Sequence, residues 1–286
     1  MSSKLIPSNP EQVMVIRDVV PKTITTLSVP FQRFGRIKIG GRGTIGKRCV
    51  DLYLCDFSNQ DLVRLQNGSL AVFSPVALTD DVKQKVAEMG EVRYITALDF
   101  EHHIFLGPWH AAYPSAKVIG PEGLPEKRKS QNNEDVPFST VFTASNPHPS
   151  IDPEFDAEFE YEYVPAHQNK EIVFNHKPTR TLIQADLMFN HPPTEQYSKT
   201  GVSPSSGILT KLFGAVTNTN NDWQKRLIWY GISSGDRAGF AQSVSRIDKW
   251  GFDRMIPCHG DVVETDAKGI FQKIMEWHLD LAKKGK

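Results

Sequence analysis

Four short apolar runs of this sequence each end in an imidazole or a carboxylate. Runs of this length, rich in β-branched and aromatic residues, are typical of β-strands. The side chains at the four ends are His102 with His103, His167, Asp186 and His259. A buried carboxylate is costly unless a cation, a metal or strong donors surround it. The repeated pattern therefore predicts a fold in which several strand ends deliver nitrogen and oxygen donors to one point.

Taken singly, these residues have ordinary structural interpretations. A single Asp at a strand end is more often an acceptor for backbone amides at a turn, and a single His there is more often a hydrogen-bonded structural residue than a ligand. The apolar run 181–185 nevertheless leads directly into Asp186, and Gly260 beside His259 allows backbone or ligand to approach closely. Because a structural explanation would have to hold separately at all four strand ends, metal binding is favoured.

The bulk composition fits one globular domain. Of the 286 residues 39% are hydrophobic, and there are 20 glycines besides, which is ordinary for a protein with a sizeable core. Since α/β folds often reach roughly 200 to 250 residues as one domain, we expect a flexible leader at 1–12 and a single domain at 13–286. Residues 191–222, rich in Pro, Ser, Thr and Asn around the apolar patch 208–213, are predicted to be a lid insertion.

Charge and cysteine content limit the partners and the compartment. Lys plus Arg and Asp plus Glu number 33 each, so no overall field would attract nucleic acid or an anionic membrane, and the basic clusters at 33–48 and 283–286 are interpreted as solvated edges. Cys49, Cys55 and Cys258 form no CxxC pair and cannot close a disulfide framework. With no signal peptide and no apolar run near ~18 residues, we expect a cytoplasmic protein with a small-molecule substrate. A homodimer is left open.

Two hairpins are predicted from turn residues between strand-like runs. Asn67 and Gly68 separate the runs 61–66 and 69–73, and both residues tolerate the positive φ of a type I′ turn. A second hairpin is expected around residues 176–178, between two further strand-like runs.

Helix signals are equally local. Thr79 predicts the N-cap of a helix that ends at Gly90, and residues 236–250 place apolar side chains on one helical face. Residues 121–150, rich in Pro, Asn, Ser and charge, predict a surface excursion. The apolar residues that a last helix from about 267 is expected to bury are Ile270, Ile274, Trp277 and Leu281.

A resemblance to a known fold family rests on three stretches. The stretch PAHQNKEIVFNHKPTRTLIQAD at 165–186 resembles the metallo-β-lactamase superfamily segment in which a metal-binding His is followed by a hairpin ending in a metal-bridging Asp. CHGD at 258–261 resembles the last metal-binding His of that superfamily. ALDFEHHIFLGPWHAAYPSAKV, with GSLAVFSPVAL before it, is similar to one branch named as a domain of unknown function. The resemblance runs from about Leu62 onward and implies an α/β, four-layer αββα sandwich with its site at one sheet edge.

The chain departs from the superfamily at the first metal-binding motif. Most members carry His-x-His-x-Asp-His, and aligning its last two positions with His102 and His103 puts Leu98 and Phe100 where the first two histidines belong. Two ligands of the first metal are therefore absent, which favours one metal ion over two. Asp99 and Glu101 are nearby carboxylates that could substitute, although solvated loop acids are the commoner case.

The resemblance implies specific roles for the strand-end residues. His103, Asp186 and His259 are expected to be metal ligands and the catalytic centre, while His102 and His167 are ligands or their immediate neighbours. A mixed nitrogen and oxygen set suits zinc, and also iron or manganese. The implied activity is a metal-dependent hydrolase that cleaves esters, thioesters or lactones with metal-activated water.

Three other functions compete with this hypothesis. One is an iron-dependent oxidoreductase on the same fold, and another is a non-catalytic metal- or ligand-binding protein that uses a pocket under 191–222. The third is a serine hydrolase, because GISSG at 231–235 matches the G-x-S-x-G elbow and would make Ser233 the nucleophile, with His259 as base and Asp248 or Asp253 as acid.

The remaining histidines and the cysteine of the CHGD stretch have simpler interpretations. His191 follows Asp186 closely and is expected to support a ligand. Cys258 is interpreted as a small buried hydrophobe. The histidines expected to be structural are His110, His148, His176 and His278.

Overall fold

Strand residues alternate between two separate apolar cores in the computed structural model, which describes residues 9–47 and 68–285. In the strand Ser69–Phe73, Leu70 and Val72 pack in one buried cluster whereas Ala71 and Phe73 pack in another. Because successive side chains of a strand point to opposite faces, this strand lies in a sheet that is covered on both sides.

Two sheets carry most of the strands. The strands that the described residues form are β1 (Val15–Val20), β2 (Ile24–Val29), β3 (Gln32–Arg33), β4 (Ile37–Lys38), β5 (Gly41–Lys47), β6 (Ser69–Phe73), β7 (Glu91–Thr96), β8 (Lys117–Pro121), β9 (Phe138–Phe142), β10 (Phe159–Val164), β11 (Glu171–His176), β12 (Thr181–Ile183) and β13 (Arg254–Ile256). The larger sheet has the order β1-β2-β5-β6-β7-β8-β9, antiparallel as far as β6 and parallel from there. The smaller sheet has the order β10-β11-β12-β13, in which only the β12–β13 pair is parallel. Strands β3 and β4 form a separate hairpin.

Helices cover the outer face of each sheet. The helices are α1 (Pro10–Val13), α2 (Asp80–Met89), α3 (Leu106–Ala112), α4 (Leu124–Ser130), α5 (Pro153–Glu158), α6 (Thr194–Tyr197), α7 (Ile208–Val216), α8 (Trp223–Leu227), α9 (Arg237–Ile247) and α10 (Ala267–Lys284), with a 3₁₀ turn at Lys177–Thr179 and a π-helical turn at Ile228–Ile232. Side chains of α2, α3 and α4 pack on the larger sheet, and those of α9 and α10 pack on the smaller one. A third cluster lies between the sheets. This is the predicted four-layer αββα arrangement.

Several predicted elements are confirmed with their local causes. The Thr79 hydroxyl accepts a hydrogen bond from the Val82 amide at 3.3 Å, and the helix ends at Gly90, whose φ is 152°. The second predicted hairpin is also present, between β11 and β12. Residues 61–67 of the first predicted hairpin lie outside the described residues, as do Cys49 and Cys55.

Two local predictions are wrong in part. Residues 121–150 are not only a surface excursion, because they contain α4 and the edge strand β9, with Leu124 and Phe142 buried. In α10 the buried face is rotated from the predicted one: of the four expected residues only Ile274 is buried. The helix presents two overlapping apolar stripes, and the stripe with Phe271 and Met275 is the one that packs on the core.

The segment 191–222 has two unlike parts. Glu195 and Gln196 on α6 are tied into the interior of the protein, as described below, while α7 is largely exposed. None of the described helices is long and apolar enough to cross a bilayer.

Candidate metal centre

Three of the strand-end side chains meet at one point. One donor atom each from His102, Asp186 and His259 lies within 4.8 Å of the others. The Nε2 atoms of His102 and His259 are 3.2 Å apart, and Nε2 of His259 is 3.3 Å from Oδ1 of Asp186. Since β12 and β13 are parallel neighbours, the residues that follow them emerge at the same sheet edge. We call these three residues the donor group.

The hydrogen bonds around the donor group leave lone pairs facing its centre. His259 Nδ1 donates to the carbonyl of Gly40 at 2.7 Å, so its Nε2 carries no proton when the ring is neutral. Burial, and then the nearby His102, lower the pKa of His259 to about 4, which keeps it neutral. Oδ1 of Asp186 is buried and accepts no hydrogen bond from a described residue. Such an arrangement of acceptors is stabilised by a proton or a cation between them.

His102 is held in the same way by a buried carboxylate. Its Nδ1 lies 2.8 Å from Oδ1 of Asp99, which also accepts the backbone amides of Glu101 and His102 at 2.8 Å each. Burial opposes the ionisation of Asp99. The charge and hydrogen bonds of His102 outweigh this effect and hold the pKa of Asp99 at about 2. Asp99 is therefore not a solvated loop acid, whereas Glu101 is exposed and pairs with Lys127 at 3.0 Å.

The donor set fits a metal ion. A carboxylate hydrogen-bonded to the far nitrogen of a ligating His is the usual support of a metal-binding imidazole. Burial opposes the protonation of His102, yet Asp99 and Asp186 raise its pKa well above the ordinary value. In the metal-free chain a proton thus takes the place of the cation, and a metal ion would displace it. Two imidazoles and a carboxylate suit zinc, iron or manganese.

His103 is not part of the donor group, and His102 takes the place predicted for it. Nδ1 of His103 lies 3.3 Å from the guanidinium of Arg128, which also donates to the His103 carbonyl at 2.8 Å. Burial, together with the charges of Lys127 and Arg128, lowers the pKa of His103 to about 4. Consecutive residues of a turn point in different directions, and the sequence alone does not show which member of a His-His pair points inward.

His167 lies behind Asp186 instead of among the three donors. Its Nε2 is 3.4 Å from the Asp186 carbonyl oxygen and 3.7 Å from Glu171, and its Nδ1 accepts the amide of Asn169 at 3.1 Å. The Asn169 side chain donates to Oδ2 of Asp186 at 2.8 Å, and buried Glu171 accepts the amides of Ala185 and Asp186 at 2.8 and 2.9 Å. Together these contacts fix the carboxylate that ends the β11–β12 hairpin.

The loop that carries His259 is fixed by residues that sequence reasoning missed. Fully buried Arg42 donates to the carbonyls of Pro257 and Gly260 and pairs with Glu195 at 3.2 Å. Gln196 donates to the Cys258 carbonyl at 2.8 Å and accepts the amide of Gly260 at 3.1 Å. The only local signal for this network is an arginine within a run of strand-like residues, and Glu195, Pro257 and Gly260 lie more than 150 positions from it.

The serine hydrolase hypothesis does not match the structure. Residue 227 ends helix α8 and residues 228–232 form the π-helical turn, whereas an elbow needs a strand before the serine. Ser233 is buried and its hydroxyl lies 2.8 Å from His278 and 2.9 Å from the Ile228 carbonyl, and not beside His259. Ser233 therefore has a structural environment.

His191 and Cys258 also contact the surroundings of the site. The His191 ring packs against Phe189 and Phe213, and Phe189 stacks on His259 at 6.0 Å, so His191 lies one ring away from the donor group. Cys258 is buried in the core between the sheets, and burial raises the pKa of its thiol to about 11. It stays protonated and packs as a small apolar residue.

A cleft of about 270 Å³ leads from the surface to His102 and His259. Its lining is apolar for the most part, with Arg33 and Glu101 as the charged members besides buried Arg42. The apolar side chains that line it are Val29, Phe31, Phe34, Pro75, Val76, Ile104 and Phe105. Residues 191–222 do not line this cleft, which is bordered by the segment 29–34 instead.

Comparisons with known proteins agree with this architecture. The model of a family described as a domain of unknown function (DUF4336) matches residues 60–196. No curated protein matches the sequence.

Among solved structures, the chain is similar to the DIM-1 metallo-β-lactamase exposed to ceftazidime, with 13% identity, a TM-score of 0.54 and coverage of 96% of this chain and 98% of that one. It is similar to a metallo-β-lactamase from Hirschia baltica, with 11% identity, a TM-score of 0.52 and coverage of 93% and 97%. The flavodiiron core of Flv1 from Synechocystis sp. PCC6803 gives 11% identity, a TM-score of 0.58 and coverage of 93% of this chain and 60% of that one. Identities this low show the fold and not the activity. The chain is a metallo-β-lactamase-fold protein, and its residues 60–196 match the domain of unknown function DUF4336.

Proposed function

We propose that this protein is a metal-dependent hydrolase for an ester, thioester or lactone with an apolar body. The observation that supports it is the donor group: one donor atom each from two imidazoles and a carboxylate, which face one another at the inner end of an apolar cleft. Such a site combines a place for a cation with a place for an uncharged carbonyl compound.

One metal ion is proposed, held by His102, Asp186 and His259. A divalent ion supplies a Lewis acid for a carbonyl oxygen and lowers the pKa of water toward 7. The residues that would supply a second set of ligands in the superfamily are apolar here: Leu98 is buried between the sheets, and the Phe100 ring lies 5.4 and 5.1 Å from the ammonium groups of Lys127 and Lys170.

The protein's own residues would prepare the donor group and the cleft. Asp99 and the Gly40 carbonyl hold the far ring nitrogens, so that both Nε2 atoms stay directed at the centre. Phe31 stacks over the His259 ring at 6.2 Å and brings the apolar lining up to the donor group. An acyl or aryl group in the cleft would therefore exclude bulk water from the side of the site formed by His102 and His259.

Metal content and ester hydrolysis test the proposal together. We expect tag-free protein to hold about one equivalent of zinc, and to hydrolyse p-nitrophenyl esters in a way that a chelator abolishes and zinc restores. Asp186→Asn should lose both metal and hydrolysis, while Asp81→Asn, an exposed carboxylate on α2, should lose neither. Two equivalents would contradict the mononuclear site, and hydrolysis that persists in chelator would contradict the metal mechanism.

An iron-dependent oxidoreductase is the second candidate, favoured by the composition of the donor group. Two histidines and one carboxylate with open positions are the usual ligands of mononuclear non-haem iron. The likeness to the Flv1 flavodiiron core, at 11% identity, places iron proteins on this fold. Iron in protein purified without oxygen, together with oxygen consumption and no ester hydrolysis, would favour this candidate. Protein that binds no metal would favour a ligand-binding role instead.

A further inference from the structure

Helix α7 has an apolar face that no described residue covers. Ile208 is 79% exposed, Leu212 61% and Leu209 48%. Thr210 on the same helix is buried, and at 3.6 residues per turn Ile208 and Leu212 lie about 160° around the helix from it. Single exposed apolar residues are common on protein surfaces, but three neighbours on one helix face indicate an interaction surface.

The buried side of α7 is fixed to the β3–β4 hairpin. The Thr210 hydroxyl accepts the Lys38 amide at 3.2 Å, and the Lys38 ammonium donates to the Ser206 carbonyl at 2.8 Å. At the tip of this hairpin Phe34 is 80% exposed, with a φ of 55°, and Gly35 beside it has a φ of 65°. Helix and hairpin thus form one projecting unit with apolar side chains at its outer parts. We call residues 33–38 and 199–216 the α7–hairpin face.

This face carries positive charge only. Its five cationic residues are Arg33, Arg36, Lys38, Lys199 and Lys211, and the sequence has no Asp or Glu at 19–50 or at 196–221. None of the five forms an ion pair with a carboxylate in the described part of the chain: Lys38 bonds to Ser206, Lys199 to the Met14 carbonyl, and Arg33 lies 5.5 Å from the Phe34 ring. The balanced total of 33 and 33 hides a strongly basic surface.

We infer that the α7–hairpin face docks on an anionic lipid bilayer. Apolar residues beside lysines and arginines are the composition of helices that lie in the membrane interface, and anionic headgroups attract such a face. A second copy of the chain is a poorer partner, because a two-fold contact would bring the same five cations against each other. Nucleic acid would leave Ile208, Leu209 and Leu212 uncovered, since phosphates offer nothing to aliphatic side chains.

Docking has a consequence for the cleft. Phe34 lines the cleft and also stands at the tip of the α7–hairpin face. The mouth of the cleft would then lie at the lipid surface, where apolar compounds concentrate. This step rests on the proposed hydrolase, whereas docking itself does not require a metal.

Vesicle sedimentation tests the inference. We expect the protein to sediment with vesicles of phosphatidylcholine and phosphatidylserine, to sediment far less with phosphatidylcholine alone, and to be released by salt. Ile208→Ser with Leu212→Ser should lower the bound fraction about tenfold. Tyr230→Ser is the matched control, since this side chain is 66% exposed on the π-helical turn and should change nothing.

A charge-reversal pair and a chelator complete the experiment. Arg36→Glu with Lys211→Glu should also release the protein, while Lys129→Glu, exposed on α4, should not. Binding that is unchanged in chelator separates docking from the metal hypothesis. The inference is overturned if the protein ignores anionic vesicles, if both paired variants bind like the original protein, or if the Ile208 and Leu212 variant instead dissolves a dimer seen by analytical ultracentrifugation.

Discussion

Two hydrogen-bond acceptors outside the donor group determine how the rings of His102 and His259 present their lone pairs. An imidazole has one lone pair when neutral, and a partner on the other nitrogen determines where that lone pair points. Asp99 does this for His102, and the Gly40 carbonyl does it for His259. The two differ in kind, because a carboxylate also adds negative charge whereas a carbonyl adds only a dipole. Removing the charge of Asp99 should therefore weaken the site without dismantling it.

Asp99→Asn is expected to lower the affinity for zinc about 10- to 100-fold. The amide oxygen keeps the shape of the side chain and can still accept from Nδ1 of His102, but it lacks the negative charge that makes the imidazole a stronger ligand for a cation. Competition with a chromophoric chelator measures the change. Asp81→Asn, exposed on α2, should bind zinc like the original protein, and an equal affinity for all three proteins would contradict the role of Asp99.

Gly40→Ala should disrupt the site through the backbone. Gly40 has a φ of 67°, and a Cβ there would meet the Gln196 side chain, whose atoms lie within 2.0 to 2.8 Å of it. Gln196 is buried and holds the backbone on both sides of His259, so it has no room to retreat. We expect a loss of about 1 to 3 kcal/mol in stability together with weaker zinc binding. Gly235→Ala, where nothing lies within 4 Å, is the control for urea unfolding.

Sequence reasoning identified the residues of the site whose signal is local. Asp186 and His259 each end an apolar run, and both belong to the donor group. The choice between His102 and His103 depends on which way a turn faces, and the partners of Arg42 are brought close only by the folded chain. The inward direction of His102 and the contacts of Arg42 depend on tertiary structure, which a local sequence pattern does not contain.

At the scale of elements, helix α10 is tied to the π-helical turn by one buried polar contact. His278 lies 2.8 Å from the Ser233 hydroxyl, which in turn donates to the Ile228 carbonyl. Burial, together with the charge of Arg237, lowers the pKa of His278 to about 4. The ring is therefore neutral at pH 7, and protonating it would place a charge on buried Nδ1, which has no hydrogen-bond partner among the described residues.

Acid should destabilise the protein through His278. Between pH 6.5 and 4 the unfolded chain binds a proton at this residue and the folded chain does not, so the free energy of unfolding falls as the pH falls. The slope reaches at most about 1.36 kcal/mol per pH unit for this proton. His278→Gln should flatten the dependence by up to that amount in urea unfolding at several pH values with chelator present. An unchanged slope would show that His278 titrates normally.

Elements were predictable where their ends carry chemical signals. Helix α2 has a capping threonine and a terminal glycine, and both act as expected. Strand β9 was missed because its residues stand in a segment dominated by Pro, Asn and Ser, and only the parallel pairing with β8 makes the segment a strand. The buried face of α10 was misjudged because its two apolar stripes are equivalent until a sheet packs on one of them.

The donor group connects the two sheets of the molecule. His102 follows β7 of the larger sheet, whereas Asp186 and His259 follow β12 and β13 of the smaller sheet. Between these loops the Leu98 carbonyl accepts the Ile172 amide at 2.7 Å, and the Asn169 carbonyl accepts the Phe100 amide at 3.0 Å. A metal ion would add a further connection, which has no counterpart in an unfolded chain.

Zinc should accordingly stabilise the entire fold and not only its own loops. A ligand present at 100 times its Kd adds about 2.7 kcal/mol to the free energy of unfolding, which for a chain of this size raises Tm by roughly 5 to 10 °C. Because the ligands come from both sheets, thermal unfolding followed by near-ultraviolet and far-ultraviolet circular dichroism should shift together. Asp186→Asn should show no shift with added zinc. If zinc raised the unfolding midpoint of the near-ultraviolet signal alone, the metal would order the cleft without stabilising the contact between the two sheets.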